Sequence, residues 1–254
     1  MSKTYHICRV LRLISRKKRP RTTAILLAGG VGSRMQSTGE TKQLMLVCGL
    51  PLIVHTALAF EQCPYIDDIV VVARREELKT VYDLMEQHGI RKCRRVVPGG
   101  ETRQLSAIAG FEAIDGEKTK FVAIHDAARC LITPGQIADV VAAAYAERAA
   151  SAACRVFDTV KKANAAGYVT ETVDREALWL AQTPQVFDAT LYRAAAYTAM
   201  QAKFVATDDM MLCERIGQTV KLIDCGTDNF KVTTPGDLLR AAAVLQGRRK
   251  DGQA

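Results

Sequence analysis

The chain has 254 residues, of which 48% are hydrophobic and 24% are charged, and these values are typical of a globular protein. No stretch reaches the roughly 18 uninterrupted apolar residues of a membrane span, so no membrane partner is expected. The net charge of +8 is uneven: residues 1–21 hold eight basic residues and no acid, and the remainder is formally neutral. The folded part therefore gives no reason to expect nucleic-acid binding.

Residues 1–21 are expected to be a basic tail outside the folded domain. The apolar residues of this segment precede its basic run, which is the reverse of the order in a secretory signal. Its composition fits a disordered extension or a start codon assigned too early, and we favour these interpretations over a transit peptide or an arm for acidic partners. The eight cysteines are widely spaced, which excludes Cys-x-x-Cys metal and redox motifs. They predict small buried side chains in a reducing, cytoplasmic location.

Short apolar runs alternate with amphipathic stretches from residue 24 onward. The runs are rich in Val and Ile and predict strands buried on both faces, at 24–28, 69–73, 121–124, 152–156 and 220–223. The amphipathic stretches predict helices at 52–61, 76–87, 102–113, 134–148, 189–202, 208–216 and 235–245. Strands separated by helices predict βαβ units and an α/β fold with a mostly parallel sheet.

The interval from about 153 to 175 interrupts this alternation. Two β-prone segments flank the turn-like sequence Asn164-Ala165-Ala166-Gly167, which predicts a β-hairpin arm inserted into the fold. A hairpin that leaves the sheet must bury its apolar face elsewhere, and a second subunit is the expected partner.

The first predicted strand runs into a glycine-rich turn at 28–32, which contains Gly29, Gly30 and Gly32. Such a turn at the carboxyl end of a strand lets backbone N–H groups approach phosphates, although a plain tight turn is the other interpretation. The dinucleotide-binding fingerprint fails because Met35 occupies the position of its third glycine, and no Walker A Gly-Lys-Ser/Thr follows. The turn therefore indicates a phosphate-binding loop of another kind.

Charged residues follow two of the predicted strands. Arg34 and Lys42 come just after the glycine-rich turn, and two cations there could neutralise a triphosphate. The strand at 121–124 leads to Asp126 at the edge where open α/β sheets bind ligands. A carboxylate there suits Mg²⁺, which takes one or two carboxylates together with phosphates. His125 points to the opposite face and is expected to be structural.

Further polar segments lie at 99–106, 174–175, 182–185, 207–209 and 228–233, and each alone would be a loop or a helix start. In this order, and together with the glycine-rich turn and the segment around Asp126, they resemble the 2-C-methyl-D-erythritol 4-phosphate cytidylyltransferase family over about residues 23–245. The resemblance implies a Rossmann-like nucleotide-transferase domain at 22–247, a homodimer formed through the arm, and a C-terminal tail at 248–254.

The resemblance also implies roles for individual residues. The cations around the triphosphate would be Arg34, Lys42 and Lys231. The residues that bind CTP would be Ala28, Gly29, Gly30, Gly32, Gly100, Glu101, Ser106 and Ala127. The residues that bind the sugar phosphate would be Asp126, Arg129, Thr159, Arg175, Thr183 and Thr207. A divalent cation, Mg²⁺ or a similar ion, would be held by Asp126 and Asp228.

The implied reaction transfers CMP from CTP to 2-C-methyl-D-erythritol 4-phosphate in non-mevalonate isoprenoid biosynthesis. Cys130 and Leu105 depart from the usual family pattern, but neither departure removes a functional group named above. The nearest alternative is a pyrophosphorylase that forms CDP-ribitol from ribitol 5-phosphate. A nucleotide-binding module without catalysis is a second alternative, and an NAD oxidoreductase is disfavoured by the failed fingerprint.

Overall fold

The computed structural model describes residues 19–30 and 41–250 of the chain. Within them the strands are β1 (Thr22–Leu27), β2 (Leu46–Val47), β3 (Leu50–Pro51), β4 (Asp68–Ala73), β5 (Cys93–Pro98), β6 (Phe121–Asp126), β7 (Ala149–Arg155), β8 (Val160–Ala163), β9 (Val169–Val173), β10 (Trp179–Asp188) and β11 (Lys221–Asp224). The helices are α1 (Leu52–Gln62), α2 (Leu78–Gln87), α3 (Arg103–Glu112), α4 (Pro134–Glu147), α5 (Ala189–Gln201), α6 (Asp209–Arg215) and α7 (Pro235–Lys250).

Seven of the described strands form the central sheet, in the order β11-β7-β10-β6-β1-β4-β5. The pairs of β1 with β4 and β6, of β4 with β5 and of β7 with β11 are parallel, whereas β10 runs antiparallel to both β6 and β7. The sheet is therefore mainly parallel, as the alternation of strands and helices predicts. Every residue of β1, β4 and β6 is buried, because helices cover both faces of the sheet.

Alternate residues of β1 belong to separate hydrophobic cores. Leu26 packs in the core that α1 and α4 cover with Phe60 and Val141, and Ile25 packs in the core that α3 and α5 cover. This division follows from the two-residue period of a strand. The same period separates the functions of β6, because His125 and the neighbouring Asp126 must face opposite sides.

Two strands of the sheet, β5 and β10, were not predicted from the sequence. β5 carries two arginines and ends in a proline, which a strand at the edge of a sheet tolerates. β10 contains the polar segment 182–185, which by itself was expected to be a loop or a helix start. Its Gln182, Thr183 and Gln185 are buried, and their side chains bond to partners in the fold. Buried polar groups of this kind are stable only with partners, and the sequence does not show them.

The N-terminal boundary differs from the prediction. Arg19 was assigned to the tail 1–21. Its guanidinium nevertheless forms a bidentate salt bridge with the Asp67 carboxylate, with both N–O distances 2.8 Å. Arg21 pairs with Asp68 at 2.6 Å. These two arginines therefore belong to the folded body, and the basic residues before them lie outside the described ranges.

The C-terminal boundary and the arm also differ in detail. α7 continues to Lys250, beyond the expected end at 247, and the side chain of Arg248 donates to the carbonyl of Leu131 at 2.6 Å. β8 and β9 form an antiparallel hairpin, and the Asn164 side chain accepts from two backbone N–H groups of its turn. Residues 153–155, which were expected to begin the arm, belong instead to β7 of the central sheet. Within the described residues, no helix is long and apolar enough to cross a membrane.

Candidate active site

A cleft of about 250 Å³ opens at the carboxyl ends of β1 and β6. Open α/β sheets bind their ligands at this edge. Among the residues that line the cleft are eight of those predicted for the site: Gly29, Gly30, Lys42, Gly100, Glu101, Ser106, Asp126 and Lys231. Segments that are far apart in the sequence therefore converge on one site, as the prediction requires.

The glycine-rich turn forms one wall of the cleft. It leaves β1 through Ala28, whose N–H donates to the carbonyl of Val72 at 2.7 Å. Gly29 and Gly30 follow and line the cleft. Two predicted members of this wall, Gly32 and Arg34, lie in 31–40, outside the described residues.

The loop before α3 forms a second wall. Ser106 Oγ accepts a hydrogen bond from Gly100 N at 3.1 Å and donates to Gly100 O at 3.2 Å, so one hydroxyl closes the loop. A Cβ atom at Gly100 would lie 2.5 Å from Cβ of Leu105, so only glycine fits there. Thr102 caps α3 by accepting from Leu105 N. These contacts hold the loop in a fixed arrangement where it lines the cleft.

Asp126 lies at the centre of a network of charges at the bottom of the cleft. One carboxylate oxygen accepts from Lys231 Nζ at 2.7 Å and the other from Arg103 Nε at 3.0 Å. Burial would raise the pKa of Asp126, but the charges of Arg103 and Lys231 outweigh it and hold that pKa below its usual range. Asp126 therefore stays ionised at neutral pH.

The network continues into the core through residues that the sequence analysis did not assign to the site. Arg103 Nη1 donates to Asp209 Oδ2 at 2.7 Å, and the Tyr192 hydroxyl donates to the other oxygen of Asp209 at 2.9 Å. Only 1% of the Asp209 side chain is exposed, and this burial raises its pKa despite the charge of Arg103. Arg103 and Asp209 both stand in polar segments of the sequence, but no local pattern indicates that they meet across 106 residues.

The two cations predicted within the described ranges, Lys42 and Lys231, both line the cleft with Arg103. Lys42 is 8% exposed, although most lysines lie in solvent. It belongs to a short 3-10 turn, Lys42–Leu44, which follows Thr41. The Thr41 hydroxyl donates to Glu77 and fixes the start of this turn. Among the described residues that line the cleft are three cations and two carboxylates, Asp126 and Glu101, and this excess of positive charge is suited to binding a polyanion.

The residues present fit a divalent cation only with help from a substrate. Among the residues of the described ranges, no group of three or more His, Cys, Asp and Glu side chains could hold a metal ion. Of the two metal ligands that the resemblance implies, Asp126 lines the cleft, whereas Asp228 is exposed and outside that lining. Each Asp126 oxygen accepts one N–H and retains a second lone pair. One carboxylate with substrate phosphates and water is an ordinary Mg²⁺ arrangement.

Comparison with known proteins identifies the family of this chain. A family model described as "IspD: 2-C-methyl-D-erythritol 4-phosphate cytidylyltransferase" matches residues 22–247. The chain belongs to this family. It is 43% identical over 230 residues to the 2-C-methyl-D-erythritol 4-phosphate cytidylyltransferase of Pelotomaculum thermopropionicum, covering 90% of this chain and 96% of the relative. It is 39% identical over 229 residues to that of Syntrophus aciditrophicus, covering 90% and 97%.

Solved structures of the cytidylyltransferase family share the fold. The 4-diphosphocytidyl-2C-methyl-D-erythritol synthase of Anaerococcus prevotii superposes with a TM-score of 0.79 at 29% identity, covering 89% of this chain and 96% of that chain. The 2-C-methyl-D-erythritol 4-phosphate cytidylyltransferase of Thermus thermophilus superposes with a TM-score of 0.71 at 29% identity, covering 87% and 98%. The Rossmann-like nucleotide-transferase fold is therefore confirmed.

The remaining site residues named from the cytidylyltransferase resemblance lie outside the cleft lining. Thr159 and Arg175 are exposed near the base of the arm. Thr207 is exposed, and the neighbouring Asp208 caps α6. Arg129 donates to the carbonyls of Asn229 and Ala181. Ala127 is fully buried, with its N–H donating to Leu27 O.

Thr183 and His125 form buried hydrogen bonds next to Asp126, which lines the cleft. The Thr183 hydroxyl accepts from the backbone N–H of Asp126 at 3.0 Å and bonds to His125 Nδ1 at 3.0 Å, while His125 Nε2 bonds to Arg129 O at 3.2 Å. Burial lowers the pKa of His125 to about 3. The structural role expected for His125 agrees with these contacts, and Thr183 positions the Asp126 backbone.

The buried imidazole predicts a pH dependence of stability. The usual pKa of 6.5 applies to the unfolded chain and about 3 to the folded protein, so between these values the unfolded state binds more protons and unfolding is favoured as the pH falls. We expect His125 to lower the unfolding free energy by about 1.4 kcal/mol per pH unit below pH 6.5. Urea unfolding measured over this range should show a shallower slope for His125→Gln than for the wild type. Equal slopes would contradict the account.

Proposed function

We propose that this chain transfers the CMP group of CTP to 2-C-methyl-D-erythritol 4-phosphate in the cleft at the carboxyl ends of β1 and β6. The observation that carries the proposal is the convergence of the glycine-rich turn, Lys42, Lys231 and Asp126 on one cleft. A phosphate oxygen of the polyol phosphate attacks the α-phosphorus of CTP and forms the new P–O bond. The bond from the α-phosphorus to the bridging oxygen of the β-phosphate breaks, and pyrophosphate leaves with that electron pair.

The reaction needs charge neutralisation more than proton transfer. A phosphate monoester has its second pKa near 6, so at neutral pH it is already largely a dianionic nucleophile. Its approach to a triphosphate is opposed by repulsion, which Lys42 and Lys231 would reduce while they stabilise charge on the α-phosphate. Arg34 is proposed as a further cation. This account agrees with the burial of His125, because no imidazole base is required.

Asp126 is proposed to bind a divalent cation together with the triphosphate. The ion would supply additional charge neutralisation when it is bound. The depressed pKa of Asp126 supports this role because it keeps the carboxylate ionised. Lys231 and Arg103 would hold the carboxylate in place from the two sides.

The cytosine ring is proposed to bind against the loop closed by Ser106 and Gly100. Backbone groups there can distinguish the exocyclic amine of cytosine from the carbonyl of uracil. We expect Ser106→Ala to open this loop and to lower the preference for CTP over UTP by about tenfold. The measurement is kcat/KM with each nucleotide. An unchanged preference would show that the loop does not read the base.

A homodimer formed through the arm is also proposed. The hairpin leaves Tyr168 73% exposed and Phe157 68% exposed, and such apolar side chains favour a partner surface. We expect Tyr168→Glu to weaken the dimer in sedimentation equilibrium. Tyr197→Glu, at a tyrosine on α5 that is 63% exposed, is the matched control and should leave the dimer intact. A monomeric wild-type protein would contradict the proposal.

The arm is proposed to deliver Thr159 and Arg175 to the cleft of the partner. Subunit mixing tests this directly, because Lys42→Ala damages a cleft and Arg175→Ala damages an arm. A mixed dimer would then contain one intact site, and a statistical mixture should recover about a quarter of wild-type turnover. No recovery, in a mixture shown to exchange subunits, would place Arg175 elsewhere.

Pyrophosphate release with purified protein, CTP and Mg²⁺ tests the function. We expect turnover with 2-C-methyl-D-erythritol 4-phosphate and at least a hundredfold lower kcat/KM with ribitol 5-phosphate. Preference for ribitol 5-phosphate would overturn the substrate assignment. Tight CTP binding without turnover would instead indicate a nucleotide-binding module. A cytoplasmic location stays a prediction.

A further inference from the structure

Two buried atoms in the wall of the cleft have no hydrogen-bond partner among the described residues, namely Gln43 Oε1 and Arg103 Nη2. Buried polar atoms nearly always have partners, so such atoms in a binding cleft point to a ligand. Arg103 Nη2 is a cationic donor, which suits a phosphate oxygen. Gln43 Oε1 is a neutral acceptor and requires a ligand atom that carries a proton.

The Gln43 side chain is fixed by its surroundings. The residue is 4% exposed, and its Nε2 donates to Gly30 O at 3.4 Å, which leaves Oε1 as the atom without a partner. It belongs to the 3-10 turn Lys42–Leu44, which the contact between Thr41 and Glu77 anchors. The acceptor is therefore held in place before a ligand arrives.

The position of Gln43 relative to the proposed base site selects among the donors of CTP. The triphosphate oxygens are largely deprotonated at neutral pH, so the main donors of CTP are the cytosine amine and the two ribose hydroxyls. A Cβ at Gly29 would lie 3.9 Å from Ser106 Oγ, and one at Gly30 would lie 3.5 Å from Gln43 Nε2. The two glycines thus form a continuous wall from Ser106 to Gln43. If the base binds at Ser106, as proposed above, a ribose that follows this wall would reach Gln43.

We propose that Gln43 Oε1 accepts a hydrogen bond from a ribose hydroxyl and thereby makes the cleft select ribonucleotides over deoxyribonucleotides. This inference rests on the proposed function, because it assigns the ribose of the same CTP. A site built to bond a substrate hydroxyl rejects the analogue that lacks it, since the buried protein group is then left without a partner.

The test compares kcat/KM for CTP, 2′-deoxy-CTP and 3′-deoxy-CTP in the wild type and in Gln43→Leu. We expect the wild type to prefer CTP by about 10- to 100-fold over one of the two analogues, and Gln43→Leu to reduce that preference at least tenfold. A disturbance of the adjacent Lys42 would affect all three nucleotides equally, because they share the triphosphate. The ratio of kcat/KM for CTP to kcat/KM for a deoxy analogue therefore does not change when Lys42 is disturbed.

Two further variants sharpen the result. Gln43→Glu keeps an acceptor oxygen, so it should retain the ribose preference while its added negative charge lowers all three rates. Gln87→Leu, at an exposed glutamine of α2, should match the wild type. An unchanged preference in Gln43→Leu would overturn the inference, and so would an effect confined to the KM of the polyol phosphate. If the wild type released no pyrophosphate, the proposed function would fail, and calorimetric binding of the same nucleotides would still decide the role of Gln43.

Discussion

Lys42→Ala is expected to lose about 10²- to 10³-fold in turnover while the protein stays folded. Lys42 lines the cleft and is 8% exposed, so its charge acts where solvent screens it weakly. The loss should fall mainly on kcat, because the stabilised charge develops during displacement at the α-phosphorus.

Three measurements make the Lys42 prediction specific. Pyrophosphate release gives kcat and KM, and thermal unfolding reports whether the fold persists. Lys79→Ala, at an exposed lysine of α2, serves as the matched control and should keep wild-type turnover. Near-normal turnover of Lys42→Ala would refute the role assigned to this cation.

Arg103→Leu is expected to lower the unfolding free energy by about 3–5 kcal/mol. The substitution removes the cation that pairs with Asp209, whose side chain is 1% exposed, and leaves this carboxylate buried without a countercharge. Asp126 keeps Lys231 and is less affected. Turnover should fall as well, because Arg103 holds one side of the Asp126 carboxylate in the cleft.

Urea unfolding of matched variants checks the Arg103 prediction. Arg94→Leu removes a guanidinium that is 59% exposed and also pairs with an aspartate, Asp68. This change should cost no more than about 1 kcal/mol. The double variant Arg103→Leu with Asp209→Leu should recover part of the lost stability, because no uncompensated charge remains. An equal loss of unfolding free energy in Arg94→Leu and Arg103→Leu would show that burial does not determine how much these ion pairs contribute to stability.

The sequence predicts those parts of the fold whose burial repeats with a regular period. β1, β4 and β6 are buried on both faces and are therefore continuous apolar runs. β10 escapes prediction because the partners of its Gln182 and Thr183 come from distant segments. β5 escapes prediction because it lies at an edge and carries arginines.

In the candidate site too, residues with a local sequence pattern could be predicted and residues that depend on distant partners could not. Gly29, Lys42 and Asp126 were predicted because strand ends and glycine-rich turns have a known position in α/β sheets. Lys231 was assigned only through the family resemblance, and it reaches Asp126 across 105 residues. Arg103, Asp209 and Gln43 were not assigned to the site, because their significance depends on burial and on hydrogen-bond partners that only the folded chain shows.

A crystal structure of the protein with CTP and Mg²⁺ bound tests most directly whether the cations of the cleft bind the triphosphate. The account predicts triphosphate oxygens within hydrogen-bond distance of the Gly29–Gly30 backbone and of the Nζ atoms of Lys42 and Lys231. It also predicts the cytosine against Gly100 and Ser106. A triphosphate bound away from both lysines would contradict it.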